Sequence, residues 1–187
     1  RNAASLLESL GHTVEPGFPG AMADRDFGRR FSALWSTNMG VGIKRISDQL
    51  GRELHPGDVE SVNWAQAEFA RGVNGVDYAI ALAANVDFRR AVQQWWHDGW
   101  DLLLTPTLGE PPVTLGTFAN NPDNPLAPLL RAMQYVPFTP AFNASGQPAI
   151  SLPLHWTPDG LPVGVQLVAA YGREDVLLRV AAQLEIA

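Results

Sequence analysis

The sequence contains no cysteine, no long hydrophobic run and few basic residues. Without cysteine, its 187 residues can form no disulfide, no thiolate nucleophile and no cysteine-based metal site. No apolar run reaches the length of about eighteen residues that a membrane-spanning helix needs. With 13 basic against 19 acidic residues, the net charge of −6 argues against a nucleic-acid-binding surface. We therefore expect neither a nucleic acid nor a membrane as partner, and a cytoplasmic location.

Ligands for metals and cofactors are also scarce. The four histidines lie far apart in the sequence, and none has a second ligand at the spacing typical of zinc sites. The glycine-rich fingerprint of nucleotide-binding loops is missing as well. The sequence therefore predicts neither a metal site nor a cofactor.

Ser145 is the serine that most suggests a nucleophile. It lacks the glycine two residues upstream that a strained nucleophile elbow requires, and no histidine or lysine lies close to it in sequence. An activating partner from elsewhere in the fold stays open. We interpret the Ser145 hydroxyl as structural, within a tight turn, and predict no catalytic residue in this chain.

Apolar side chains are plentiful, at 46% of the residues with six tryptophans and eight phenylalanines, which is typical of a globular protein. Hydrophobic periodicity and turn residues predict an alternation of helices with short strands. We expect helices ending near residue 10 and over 24–50, 58–98, 125–133 and from 173 onward. Strands are expected at 12–14, 101–106, 150–156 and 163–168, with a proline-rich loop over 106–125. This order indicates the α/β class.

Four segments in the second half of the chain carry a family resemblance. They read DLLLTPT at 101–107, FNASGQPAISLP at 142–153, GLPVGVQLV at 160–168 and GREDVLL at 172–178. In this order they resemble the C-terminal half of amidase signature enzymes, and with the helix and strand at 4–14 the likeness covers nearly the whole chain. Residues 95–101 and 168–175 are most similar to the nylon-oligomer hydrolases of that family.

The resemblance implies a fold, an activity and a division of the active site. Residues 1–187 would be the C-terminal part of a single amidase domain, truncated at both ends, with part of a mixed central sheet covered by helices. The implied reaction is amide hydrolysis through a serine acyl-enzyme, using a Ser–cis-Ser–Lys triad. The family carries that triad in its N-terminal half. Here no Gly-Gly-Ser-Ser-Gly-Gly run exists and Lys44, the only lysine, does not match the lysine motif.

The candidate substrate contacts also follow from the resemblance. They are Thr105 and Thr107 at a strand end, Phe142 and Asn143 in a turn, and Trp35, a large side chain among small polar ones on a covering helix. The partners expected are a small-molecule amide and the N-terminal half of the same enzyme, with a homodimer left open.

Two alternatives stay open. The chain is an inactive binding or scaffolding module, or its parent is the amidase subunit of a tRNA-dependent amidotransferase. The acidic charge and the similarity to nylon-oligomer hydrolases disfavour the amidotransferase.

Overall fold

The computed structural model describes all 187 residues and contains seven α-helices and three β-strands. In chain order these are α1 (Asn2–Ser9), α2 (Phe27–Leu50), α3 (Ser61–Ala70), α4 (Gly75–His97), β1 (Leu102–Pro106), α5 (Ala127–Tyr135), α6 (Pro140–Ser145), β2 (Ala149–Trp156), β3 (Pro162–Ala169) and α7 (Glu174–Ile186). Two short 3₁₀ turns lie at Gly20–Ala23 and Pro56–Asp58. None of the helices is both long and apolar enough to cross a membrane.

The chain divides into two compact units. The first, here called the sheet unit, holds all three strands and comprises Arg1–Asp24, Phe88–Val113 and Tyr135–Ala187. The second, the helical unit, comprises Arg25–Asp87 and Thr114–Gln134. Helix α4 contributes its first half to the helical unit and its second half to the sheet unit.

The sheet has β3 in the middle, with β1 on one side and β2 on the other, and both pairs are antiparallel. The turn between β2 and β3 is closed by a hydrogen bond of 2.8 Å from the Thr157 N–H to the Leu161 carbonyl, and Gly160 takes the positive φ that the turn needs. A short connection of this kind makes consecutive strands antiparallel. The mixed sheet expected from the sequence is therefore not found within these residues, which combine helices with a small antiparallel sheet.

One face of the sheet forms the main hydrophobic core of the sheet unit. Alternate residues of each strand point to this face, and Leu167 at its centre is fully buried. Helices α1 and α7 supply Leu7, Leu177, Val180 and Leu184 to the same cluster. Burial of this apolar area is the dominant favourable term in folding. Because one face of each strand is committed to the core, the residues between the buried ones lie on the opposite face of the sheet.

The helical unit is built on the packing of α2 against α3. A Cβ added to Gly40 of α2 would lie 3.4 Å from the Cβ of Ala70 of α3. Small residues at this contact allow the two helix backbones to approach closely. The glycines of α2, which weaken its intrinsic helix propensity, thus contribute to packing at this point.

Most predicted elements are confirmed, including the helix over α2, the three later strand positions, the loop over 106–125 and α7. The strand predicted at 12–14 is wrong. No strand pairs with this segment; the Val14 side chain packs against the core, and His12 Nε2 lies 2.8 Å from Gln183 Oε1 of α7.

The single helix predicted over 58–98 is also wrong, because the chain turns at residues 71–74 and forms α3 and α4 instead. The Asn74 side chain accepts hydrogen bonds of 2.9 Å from the N–H groups of Val76 and Asp77 and so caps the new helix. Asp58 does not cap α3. Its carboxylate accepts from the His55 N–H and pairs with Arg52 at 2.8 Å.

Candidate substrate-binding site

The sheet face opposite the hydrophobic core carries a row of polar side chains. Thr105 of β1, Gln166 of β3 and Ser151 of β2 lie directly opposite one another in the strand register. The Gln166 side chain is only 4% exposed, and its Nε2 donates a 3.0 Å hydrogen bond to Oγ1 of Thr105. The Thr105 hydroxyl in turn donates to the carbonyl oxygen of Pro106 at 2.9 Å. Thr105 is therefore held in one orientation from two sides.

Thr107, immediately beyond β1, is positioned by the central strand. Its N–H donates to the Gly164 carbonyl at 3.1 Å, and its Oγ1 lies 2.7 Å from Oγ of Ser151. A Cβ added to Gly164 would lie 2.7 Å from the Ser151 oxygen and 2.8 Å from the Thr107 oxygen. The two hydroxyls thus meet in the space that a side chain at Gly164 would occupy. Thr105 and Thr107, both predicted from the sequence, are brought together on this face.

Phe142 and Asn143 lie in helix α6, not in the turn that was expected. Gly146, at φ 82°, ends that helix and takes the position of the turn. The Phe142 side chain is 6% exposed, whereas Asn143 is exposed and its side chain makes no hydrogen bond. Asn143 is therefore accessible to a ligand, and Phe142 in this chain is a buried packing residue.

Trp35 belongs to the helical unit and not to the unit that carries the threonines. It lies on α2 four residues after Phe31, and the ring centroids of Phe31 and Trp35 are 5.6 Å apart. The rings of Phe27 and Phe31, one turn earlier, are also 5.6 Å apart. The Trp35 side chain is 47% exposed. The result is a short aromatic row with one accessible ring at its end.

A surface groove of about 830 Å³ also runs along α2 and α3 in the helical unit. Lys44, Trp64 and Arg71 are among its lining residues. None of the five candidate residues lines it, and Lys44 pairs with Asp48 of the same helix.

Ser145 ends α6 and is 2% exposed, but its hydroxyl makes no hydrogen bond. Its carbonyl accepts a 3.3 Å hydrogen bond from Nε of Arg89. The structural role predicted for this hydroxyl in a tight turn is therefore not supported by a hydrogen bond. No base lies within hydrogen-bond reach of it in this chain.

The polar site residues of the sheet unit carry uncharged hydroxyl or amide groups. No group of three or more His, Asp or Glu side chains converges to hold a metal ion. The resolved electrostatic effects lie elsewhere, on surface ion pairs. The Arg173 guanidinium donates to Asp175 at 2.8 Å and lowers the pKa of that carboxyl to about 2.

Three residues of the polar face were not identified as site residues from the sequence: Ser151, Gly164 and Gln166. Strict alternation in β2 and β3 places Ser151 and Gln166 on the face opposite the leucines, so that signal was present. What alternation does not give is the strand register, and without the register no pairing across the sheet follows.

A sequence model of the amidase family matches residues 1–178. The chain therefore belongs to the amidase signature family, and the predicted resemblance is confirmed. Its relatives include two 6-aminohexanoate-cyclic-dimer hydrolases. The chain is 41% identical, over 99% of its length, to the 6-aminohexanoate-cyclic-dimer hydrolase of Paenarthrobacter ureafaciens, and 40% identical, over the same share, to that of Pseudomonas sp. (strain NK87).

The solved structures agree with the sequence relatives. The structure of 6-aminohexanoate cyclic dimer hydrolase matches 98% of this chain with a TM-score of 0.90 and 40% sequence identity, as does the structure of that enzyme complexed with substrate. The chain spans 38% of the length of the two curated relatives and 39% of the solved structure.

Proposed function

We propose that this chain is the substrate-binding part of an amide hydrolase, and that the Ser–cis-Ser–Lys catalytic residues lie outside it. The observation that carries the proposal is the polar face of the sheet, where oriented hydroxyl groups lie on a rigid scaffold without any nucleophile and base in contact. The single lysine pairs with Asp48 on the exposed surface of α2, which supports its exclusion from the chemistry.

In the proposed reaction, the catalytic serine attacks the amide carbonyl carbon and forms an acyl-enzyme, which water then hydrolyses. The second serine and the lysine move the proton from the nucleophile to the leaving amine, and backbone N–H groups stabilise the oxyanion. The residues of this chain bind and orient the amide. A neutral polar floor suits an uncharged amide better than a charged group, because no side chain in it provides a compensating charge.

The proposed contacts in the sheet unit are Thr105, Thr107 and Asn143. Trp35, in the helical unit, stays a separate prediction of a substrate contact. The burial of Phe142 favours a supporting role, in which it holds α6 and thereby Asn143 in place. The proposed substrate is a small amide related to the 6-aminohexanoate cyclic dimer, on which the named relatives act. A second copy of the chain as partner stays a prediction.

We also propose that residues 1–187 form the C-terminal part of one amidase domain with a mixed central sheet. Each of β1 and β2 pairs on one side only in this chain, so each has an edge at which the sheet can continue. The chain spans only 38% of the length of its curated relative, which supports the proposal that it is part of a larger domain. The missing N-terminal half of the enzyme is then the partner that completes the sheet.

Two measurements test the proposal together. The complete product of the gene is assayed for release of amine from 6-aminohexanoate cyclic dimer, and the 187-residue chain is assayed alongside it. We expect turnover by the complete product and none by the chain alone. A complete gene that encodes neither a matching lysine nor a Gly-Ser-rich serine segment would instead favour the inactive binding module.

A further inference from the structure

The hydroxyl groups of Thr107 and Ser151 come from opposite sides of the central strand and meet above Gly164. Their oxygens are 2.7 Å apart, and any Cβ at Gly164 would lie within 2.8 Å of both. Real side chains do not tolerate such distances, so one of the hydroxyls would have to move. Glycine at this position is therefore what allows the two hydroxyls to form a pair across the strand.

A count of hydroxyl protons shows that this pair has a donor to spare. Two hydroxyl groups carry two protons, and one hydrogen bond between them uses only one. Neither side chain makes any other hydrogen bond. Thr105 differs, because its only proton is donated to Pro106 while its oxygen accepts from Gln166. An unclaimed hydroxyl donor of the polar face thus belongs to Thr107 and Ser151.

The pair is both held in place and accessible. The Thr107 N–H is bonded to the Gly164 carbonyl at 3.1 Å, which fixes the backbone from which its hydroxyl extends. Ser151 is exposed and lies in the strand register opposite Gln166. A neutral hydroxyl donor whose oxygen is held in place and that is open to solvent is matched by a neutral acceptor, such as an amide carbonyl oxygen.

We propose that Thr107 and Ser151, over Gly164, form a carbonyl-binding subsite that donates one hydrogen bond to the oxygen of a neutral amide. This inference rests on the proposed function, since the amide is that of the same substrate. It adds Ser151 as a binding residue and Gly164 as the residue that leaves room for the pair. Thr107 and Ser151 act here in binding, without taking part in bond breaking.

The subsite is tested with ε-caprolactam, a neutral cyclic amide, and threonine-methyl NMR of the protein in the full form that its gene encodes. The Thr105 methyl signal is the reporter, because that residue is unchanged in every variant. Thr107→Val, Ser151→Ala and their double variant are titrated, together with Thr114→Val as the matched control. Thr114 is exposed, and its hydroxyl lies 3.4 Å from that of Thr117 in a turn of the helical unit.

We expect a saturable shift of the Thr105 methyl signal in the wild type. The double variant should weaken the dissociation constant roughly threefold to tenfold, the equivalent of one neutral hydrogen bond. Each single variant should weaken it less, because the remaining hydroxyl keeps its own free proton. Ser151→Thr keeps the hydroxyl group and should retain wild-type binding. Thr114→Val should leave the dissociation constant unchanged. Gly164→Ala should weaken binding although it keeps both hydroxyls.

Two results would overturn the subsite. One is a double variant that binds ε-caprolactam as tightly as the wild type, and the other is a wild type whose Thr105 methyl signal shows no saturable shift. Circular dichroism separates loss of binding from loss of folding. If the double variant fails to fold, Ser151→Ala is compared with the wild type in its place. Hydrolysis of 6-aminohexanoate cyclic dimer is measured separately, so failure of the proposed function is distinguishable from failure of the subsite.

Discussion

The side-chain amide of Gln166 donates a 3.0 Å hydrogen bond to the hydroxyl of Thr105 on the neighbouring strand. Gln166 lies on the central strand and is 4% exposed, in a row where the next residue on the same face, Val168, is fully buried. A glutamine at such a position costs desolvation that an apolar residue would not. The hydrogen bond to Thr105 offsets part of that cost.

Replacing Gln166 tests that role. Gln166→Leu leaves the Thr105 hydroxyl bonded to Pro106, so no buried donor is orphaned and the free energy of unfolding should change by no more than about 1 kcal/mol. The KM for the amide substrate should nevertheless rise, because Thr105 loses the partner that orients it. Urea unfolding and steady-state kinetics of the complete gene product measure the two effects.

Gln166→Glu is the companion variant, because it keeps the shape and adds a charge. Burial disfavours the charged form of a carboxyl, so this variant should be destabilised by about 1–3 kcal/mol at neutral pH. The loss should shrink as the pH falls and the carboxyl is protonated. A variant as stable as the wild type at pH 7 would show that the position is wetter than its 4% exposure indicates.

Ser145→Ala should leave amide hydrolysis unchanged. The Ser145 hydroxyl is buried without a hydrogen-bond partner, so its removal relieves an unsatisfied group and leaves only a small gap. We expect the free energy of unfolding to stay within about 1 kcal/mol of the wild type or to rise.

Ser47→Ala is the matched control for that variant. The Ser47 hydroxyl donates to the Ile43 carbonyl and accepts from the Leu54 N–H, so its loss should cost about 1–2 kcal/mol. Hydrolysis that disappears in Ser145→Ala, while the variant stays folded, would place the nucleophile in this chain and refute the proposed division of the active site.

Trp35→Ala should raise the KM for 6-aminohexanoate cyclic dimer with little change in kcat. Burial of a large apolar side chain against a ligand is worth about 1.5 kcal/mol at the lower end, or roughly a tenfold change in KM. Trp156→Ala is the control, because that tryptophan is also exposed, at 57%, and no substrate contact is proposed for it. Equal kinetics of the two variants would refute Trp35 as a substrate contact.

Arg173→Leu should raise the pKa of Asp175 from about 2 toward its ordinary value. The hydrogen bond from Arg173 is the main cause of the low pKa, and Arg179 adds a smaller Coulombic contribution. A lowered carboxyl pKa stabilises the fold above the ordinary pKa, and that stabilisation is lost as the pH falls from about 4 to about 2.

Carboxyl-carbon NMR of Asp175 across that range measures the pKa shift. Arg29→Leu, which removes the ion pair of Arg29 with Asp26 at the start of α2, is the control and should leave the Asp175 titration unchanged. An Asp175 midpoint that does not move in Arg173→Leu would assign the low pKa to the start of α7 itself, where Asp175 lies in the first helical turn.

Local signals in the sequence were sufficient to predict the boundary of a helix or strand where that boundary depends on nearby residues alone. The proline that ends β1, the turn at 157–160 and the acidic start of α7 all correspond to observed boundaries. They were insufficient at residues 71–74, where a continuous apolar pattern concealed a break. That break depends on the Asn74 side chain, which accepts hydrogen bonds from the first turn of α4 and so favours the start of a new helix over the continuation of α3.

The sequence by itself determined the family, the absence of cysteine chemistry and which residues of each strand share a face, because these depend on residue identity and on a period of two. Only the tertiary structure decided which side chains meet. The Thr105–Gln166 bond and the Thr107–Ser151 pair join residues about 40 to 60 positions apart, and they exist because the pairing register aligns three strands. A shift of that register by one residue would turn every one of these hydroxyls to the opposite face.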